Sequence, residues 1–157
     1  MEIEYVRSRF IKHFDGKTGN IYHSPGRINL IGEHTDYNGG FVFPGAVEQG
    51  IMAEVRPNGQ QTCNVYSIDL KDMVHFKIDD PKGPSATWAR YIYGVVQEMR
   101  ALGVDVKPFN AAFAGDVPLG AGMSSSAALE SCFACALNDL FGDNKVSKWD
   151  MVLAGQA

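Results

Sequence analysis

Apolar residues at Ile3, Val6, Phe10 and Phe14 recur at three and four positions. That spacing lines one face of an α-helix and predicts a short amphipathic helix, ended by Asp15-Gly16. Residues 20–24 then read as a strand leading into Pro25-Gly26. The apolar stretch 41–55 is interrupted by Pro44, Gly45 and Gly50, so it predicts two strands or one bent strand. Pro57-Asn58-Gly59 is a turn signal, and residues 61–68 alternate well enough to form the return strand. Another short strand is expected over 73–78, and a Pro- and Gly-containing loop over 79–85. Trp88, Tyr91, Ile92, Val95, Val96 and Met99 carry helical spacing across 87–102, with Gly103 as the terminator. Residues 109–114 form a candidate strand. A second long helix starts near Met123–Ser124 and runs to Phe141, broken by Gly142-Asp143-Asn144. A further helix begins after Ser147 and the chain stops inside it, which reads as a truncation. Several strands are neighbours in sequence, which favours an α+β arrangement over an alternating parallel sheet.

The 157 residues suit one domain. An apolar share of 45% and a charged share of 20% exclude disordered and fibrous classes. A net charge of −4 argues against general nucleic-acid binding. No apolar run approaches the ~20 residues of a membrane span, and no signal peptide is read at the start. Three Cys in no framework spacing fit a cytoplasmic protein. Cys132 and Cys135 form a C-x-x-C inside a helical run, where core packing is the expectation over redox or zinc chemistry. Glycine is the outlier: 17 residues, roughly 11% against about 7% in the average protein.

Part of that glycine falls in two polar segments. The first spans 24–40 and holds Arg27, Glu33, His34 and Asp36 among Gly26, Gly32, Gly39 and Gly40. Paired carboxylates with an imidazole suit a polyhydroxylated ligand, because a carboxylate accepts from two hydroxyls at once. The Glu33-His34-Thr35-Asp36 run equally suits a metal, and a solvated charged loop is the bland alternative. Arg27 suits a developing negative charge. The second segment spans 116–130, where Gly120-Ala121-Gly122-Met123 runs into Ser124-Ser125-Ser126 and a strong helix. Free N–H groups at a helix N-terminus make an anion site, and glycines let a phosphate approach the backbone. The segment is neither a Walker loop nor a dinucleotide fingerprint, so an ordinary turn and Ser cap stays open. Trp88 and Tyr91 share a helix face, which suits core packing or stacking on a nucleobase.

Together the two segments resemble a known family. Residues 25–40, Pro-Gly-Arg-Ile-Asn-Leu-Ile-Gly-Glu-His-Thr-Asp-Tyr-Asn-Gly-Gly, closely resemble the galactokinase signature. Residues 118–130 resemble the ATP motif of the GHMP kinases, which include the homoserine, mevalonate and phosphomevalonate kinases. The resemblance implies a GHMP-kinase N-terminal domain, like the second domain of ribosomal protein S5, across residues 1–157. It implies transfer of the ATP γ-phosphoryl group to the C1 hydroxyl of α-D-galactose, with Mg2+. Arg27 would stabilise the transition state, and Glu33, His34, Thr35 and Asp36 would bind the sugar. Gly120, Ala121, Gly122, Met123, Ser124, Ser125 and Ser126 would hold the ATP phosphates, with Ser125 or Ser126 near magnesium. Trp88 and Tyr91 would flank the adenine, and Ser67 would be a weaker nucleotide contact. The family's third glycine motif, its catalytic Asp and its magnesium-binding Glu have no counterpart here. The chain therefore reads as an N-terminal part, inactive alone and missing its C-terminal half as partner. An N-acetylgalactosamine kinase or a non-catalytic sugar sensor would share these motifs.

Overall fold

The structure, a computed structural model, describes residues 2–25, 50–115 and 123–143. In chain order the elements are α1 (Ile3–His13), β1 (Asn20–Pro25), β2 (Gly50–Pro57), β3 (Cys63–Ser67) and β4 (Asp72–Phe76). They continue with α2 (Thr87–Ala101), β5 (Phe109–Gly115) and α3 (Met123–Phe141). The strands form one sheet in the order β1-β2-β5-β3-β4. Every pairing is antiparallel except β5 with β3, which is parallel.

The expected α+β class holds, and α1, α2 and the strands lie close to their expected bounds. Asp15 takes φ 59° just past α1, a conformation that a short polar side chain tolerates. Past the end of α2, Gly103 takes φ 96°, which a side-chain-bearing residue would occupy only with strain. One expectation fails. Residues 61–68 do not return against the preceding strand; β5 lies between β2 and β3. Asn58 N–H donates to the Pro108 carbonyl at 3.1 Å, so the chain leaving β2 is bound to the entry of β5 rather than folded into a hairpin. The physical reason lies in the side chains of β5. Phe109, Ala111 and Phe113 are buried in one core cluster, and Ala112 and Ala114 in the other. A strand apolar on both faces is stable only in the middle of a covered sheet.

Helices cover both faces of the sheet. On one side α2 and α3 pack over Ile51, Ala53, Val55, Val65 and Phe113. An aromatic series runs through this core. Trp88 lies 5.5 Å from Phe113, Phe113 meets Phe133 edge-on at 5.9 Å, and Phe133 lies 6.3 Å from Phe109. Each fully buried Phe contributes about 1.5–3 kcal/mol through removal from water. On the other side α1 lays Val6 and Phe10 over Met52, Ala112 and Ala114. Glu54 lies on that side with no exposed surface, and Arg7 Nε donates to it at 2.9 Å. Its other oxygen accepts from Gly19 N–H. A Cβ at Gly19 would meet the Val55 carbonyl oxygen at 2.4 Å, so this closing contact requires glycine. Arg7, Gly19 and Glu54 thus bind helix, loop and sheet together.

Candidate functional site

The sheet register determines what the site can be. Pro25 pairs with Gly50, Ile51 with Gly115, and Phe113 with Ser67. β1, β5 and β3 therefore run the same way and end at the same edge of the sheet. β1 delivers the chain into the first polar segment, and β5 delivers it into the glycine-rich segment. Only β2 separates their ends, so the two departures lie about 10 Å apart at the usual strand spacing.

Arg27, Glu33, His34, Thr35 and Asp36 lie outside the described residues, as do Gly120, Ala121 and Gly122. Met123, Ser124, Ser125 and Ser126 form the first turn of α3, while their side chains lie outside the described set. That turn holds no acidic residue, so the positive end of a 19-residue helix has no carboxylate of its own there.

Of the remaining expected residues, Ser67 and Trp88 come together at the same edge. Ser67, the last residue of β3, is fully buried, and its Oγ accepts from Leu70 N–H at 3.3 Å. Trp88 is 6% exposed. Its ring packs on Phe113 and its Nε1–H donates to Asp72 at 3.1 Å. Asp72 is the register partner of Ser67, so Ser67, Asp72 and Trp88 form one contiguous patch. Tyr91, three residues on, packs only partly into the core.

Three further acids carry no signal in the sequence. Asp72 resembles any turn carboxylate, although it holds the indole in place. Asp69 accepts from Gly115 N–H at 2.8 Å, at the last described residue before the glycine-rich segment. Glu130, on α3 about 10 Å along from Met123, is half-buried, and that burial pushes its carboxyl up to about 7.

The cysteines split. Cys132 is buried as expected and its thiol donates to the Tyr22 carbonyl. Cys135 is exposed instead of packed, because it sits at the edge of the stripe formed by Leu129, Cys132, Phe133 and Ala136. Burial pushes the Cys132 thiol up, with Cys135 adding to it, and burial raises Cys63 to about 12. Neither buried thiol is therefore a thiolate at neutral pH. Among the described residues no group of three or more His, Cys, Asp or Glu is placed to hold a metal. Nor is any described helix long and apolar enough to cross a membrane.

Comparison with known proteins matches both regions of the chain. Residues 8–57 match the galactokinase galactose-binding signature, and residues 90–157 match the GHMP kinases N terminal domain. A galactokinase from Roseiflexus sp. is 43% identical over 129 residues, covering 82% of this chain and 33% of its own length. One from Clostridium perfringens is 37% identical over 160 residues, covering 99% of this chain and 41% of its own. The chain thus spans between a third and about two fifths of these relatives. Among solved structures, Lactococcus lactis galactokinase complexed with galactose superposes with a TM-score of 0.76 at 33% identity, over 98% of this chain and 41% of that one. Methanococcus jannaschii mevalonate kinase superposes at 0.60 with 13% identity, over 89% of this chain and 45% of that one, a likeness of fold. By its two matched regions and by its fold, the chain has the GHMP-kinase N-terminal fold and carries the galactokinase galactose-binding signature.

Proposed function

We propose that this chain is the N-terminal part of a galactokinase, which moves the γ-phosphoryl group of ATP to the C1 hydroxyl of α-D-galactose. One observation carries the reading: β1 and β5 end at the same edge of the sheet, one strand apart. The galactose signature and the glycine-rich loop therefore start side by side. A direct transfer needs this, because acceptor oxygen and γ-phosphorus must lie in line and nearly in contact.

The roles follow from the chemistry of each group. Glu33, Asp36, His34 and Thr35 bind sugar hydroxyls, the carboxylates each accepting from two. Arg27 offers five fixed donors to charge spread over the transferring phosphoryl group. Backbone amides of Gly120, Ala121, Gly122 and the first turn of α3 hold the nucleotide phosphates, to which a helix end free of acidic residues is suited. The Ser125 or Ser126 hydroxyl would hold Mg2+, which neutralises phosphate charge when bound with ATP. Tyr91 offers a partly open ring to the adenine, while Trp88 backs it from the core. Ser67, its hydroxyl turned to Leu70 N–H, shapes the wall behind the phosphates. The proton acceptor for the C1 hydroxyl lies in the missing C-terminal half. The reaction is assigned to the cytoplasm, where ATP is available.

The test is product analysis. The full-length protein should convert galactose and ATP into galactose 1-phosphate, seen by phosphorus NMR, while the 157-residue chain alone makes none. Turnover by the isolated chain would overturn the assignment of its missing half. No product from the full-length protein would overturn the reaction, and faster turnover of N-acetylgalactosamine would move the substrate.

A further inference from the structure

We infer that Asp69 is a positioning residue for the nucleotide phosphates, acting through the backbone of Gly115. The inference rests on the phosphoryl-transfer reading above and deepens it.

The β3–β5 ladder shows why a side chain is needed at this point. Ser67 pairs with Phe113, and Ile68 N–H still donates to the Phe113 carbonyl at 2.9 Å. One step further the ladder cannot continue, because the chain turns into β4. Leu70 N–H is taken by Ser67 Oγ, and Lys71 lies in the left-handed region at φ 53°. The next β5 amide on this side, that of Gly115, would then have no strand carbonyl to meet. Asp69 supplies the acceptor instead, through a side chain 46 residues away in sequence. A carboxylate on an N–H makes a charge-assisted bond, shorter and stronger than a neutral one.

The location gives this bond its consequence. Gly115 is the last residue of β5, and Asp116 opens the segment that runs to Gly120-Ala121-Gly122 and α3. On its other side Gly115 is paired with Ile51 of β2. The origin of the glycine-rich loop is thereby held from both neighbours, by backbone on one side and by Asp69 on the other. A loop that binds phosphate through backbone amides works by the direction of those amides, and small misplacements are costly. The Asp69–Gly115 bond is solvent-exposed, so it adds little to overall stability. Its loss should appear in nucleotide binding rather than in folding.

The experiment uses the full-length protein and steady-state kinetics, with ATP and galactose varied in turn. Asp69→Ala should raise KM for ATP about tenfold and leave KM for galactose unchanged. Its melting midpoint without ligands should stay within about 3 °C of wild type. Asp69→Asn keeps an acceptor oxygen and should recover most of the ATP affinity. Asp69→Ser, whose hydroxyl is too short to reach, should resemble Ala. The inference is overturned if Ala and Ser leave KM for ATP unchanged. It is also overturned if both substrate KM values rise together with a large loss of stability, or if Asn fails as fully as Ala. Absence of galactose phosphorylation by the wild type would overturn the underlying reaction instead, a result distinct from an active wild type whose Ala variant behaves normally.

Discussion

The two ends of the sheet are built from similar polar residues and do different things. At the end where β2 stops and β3 and β5 begin, side-chain amides bond mainly to one another, with Asn58 also accepting from Gln60 N–H and donating to the Thr62 carbonyl. Asn110 Oδ1 accepts from Asn58 at 2.9 Å and from Asn64 at 2.8 Å. Asn64 in turn meets Thr62, Gln60 and His75. These groups are mutually satisfied, which makes a structural seam of them. At the opposite end the side chains bond to backbone amides and to the indole instead: Asp69 to Gly115, Ser67 to Leu70, Asp72 to Trp88. Asp69 holds the end of β5, from which the glycine-rich segment departs, while the other two fix the β3–β4 turn and the indole beside it. Polar content does not separate a site from a seam; what the polar atoms are spent on does.

The largest effect expected from breaking this contrast is on the chemical step. Arg27→Ala in the full-length protein should lower kcat roughly 10³-fold, the scale for an arginine that stabilises a transferring phosphoryl group. The fold should be unaffected by circular dichroism. Asn110→Ala at the seam should do the reverse. It deprives two amide donors of their acceptor and should cost about 1–3 kcal/mol by denaturant unfolding, with kcat within about twofold of wild type. Between them stands Arg7→Ala, which leaves the Glu54 carboxylate buried with only Gly19 for support. It should cost about 3 kcal/mol, again without moving KM for either substrate.

The smallest effect is a pH dependence. Burial raises the Glu130 carboxyl to about 7, from 4.5 in a solvated state. Below 4.5 the group is protonated both folded and unfolded, and makes no difference. Between 4.5 and about 7 the folded state holds the proton more tightly, so stability declines as pH rises through that window. Glu130→Gln should remove this decline, giving a stability profile flatter than wild type across the window by thermal unfolding. An identical slope in both proteins would show that Glu130 titrates normally.

Much of the fold was legible in local periodicity. Val6 and Phe10 announce α1, and Ile92, Val95, Val96 and Met99 announce α2. Their spacing is a property of the helix, and the structure buries those residues. The insertion of β5 between β2 and β3 was not legible, because parallel pairing across α2 is non-local, and Pro57-Asn58-Gly59 reads equally well as a hairpin turn. A lone Glu54 among Ile51, Met52, Ala53 and Val55 was a usable clue that a buried acid would need a cation. Its partner Arg7 could not be read from the same segment.

The candidate site divides in the same way. The 24–40 and 116–130 segments announce themselves by glycine and charge, and they fall inside the regions 8–57 and 90–157 that match the galactokinase galactose-binding signature and the GHMP N-terminal domain. That they start side by side required the register of three strands. Asp69 and Asp72 were invisible because an acid in a turn is ordinary. The Gly115 amide and the Trp88 indole N–H that they accept from give them roles.

The central claim is that sugar and nucleotide meet at the edge where β1 and β5 end. Hydrogen exchange of the full-length protein, with galactose and a non-hydrolysable ATP analogue added together, tests it most directly. Peptides covering 26–49 and 116–126 should slow their exchange in concert, while peptides covering 58–64 and 74–76 at the seam stay unchanged. Protection at the seam, or protection of neither signature segment, would contradict the account.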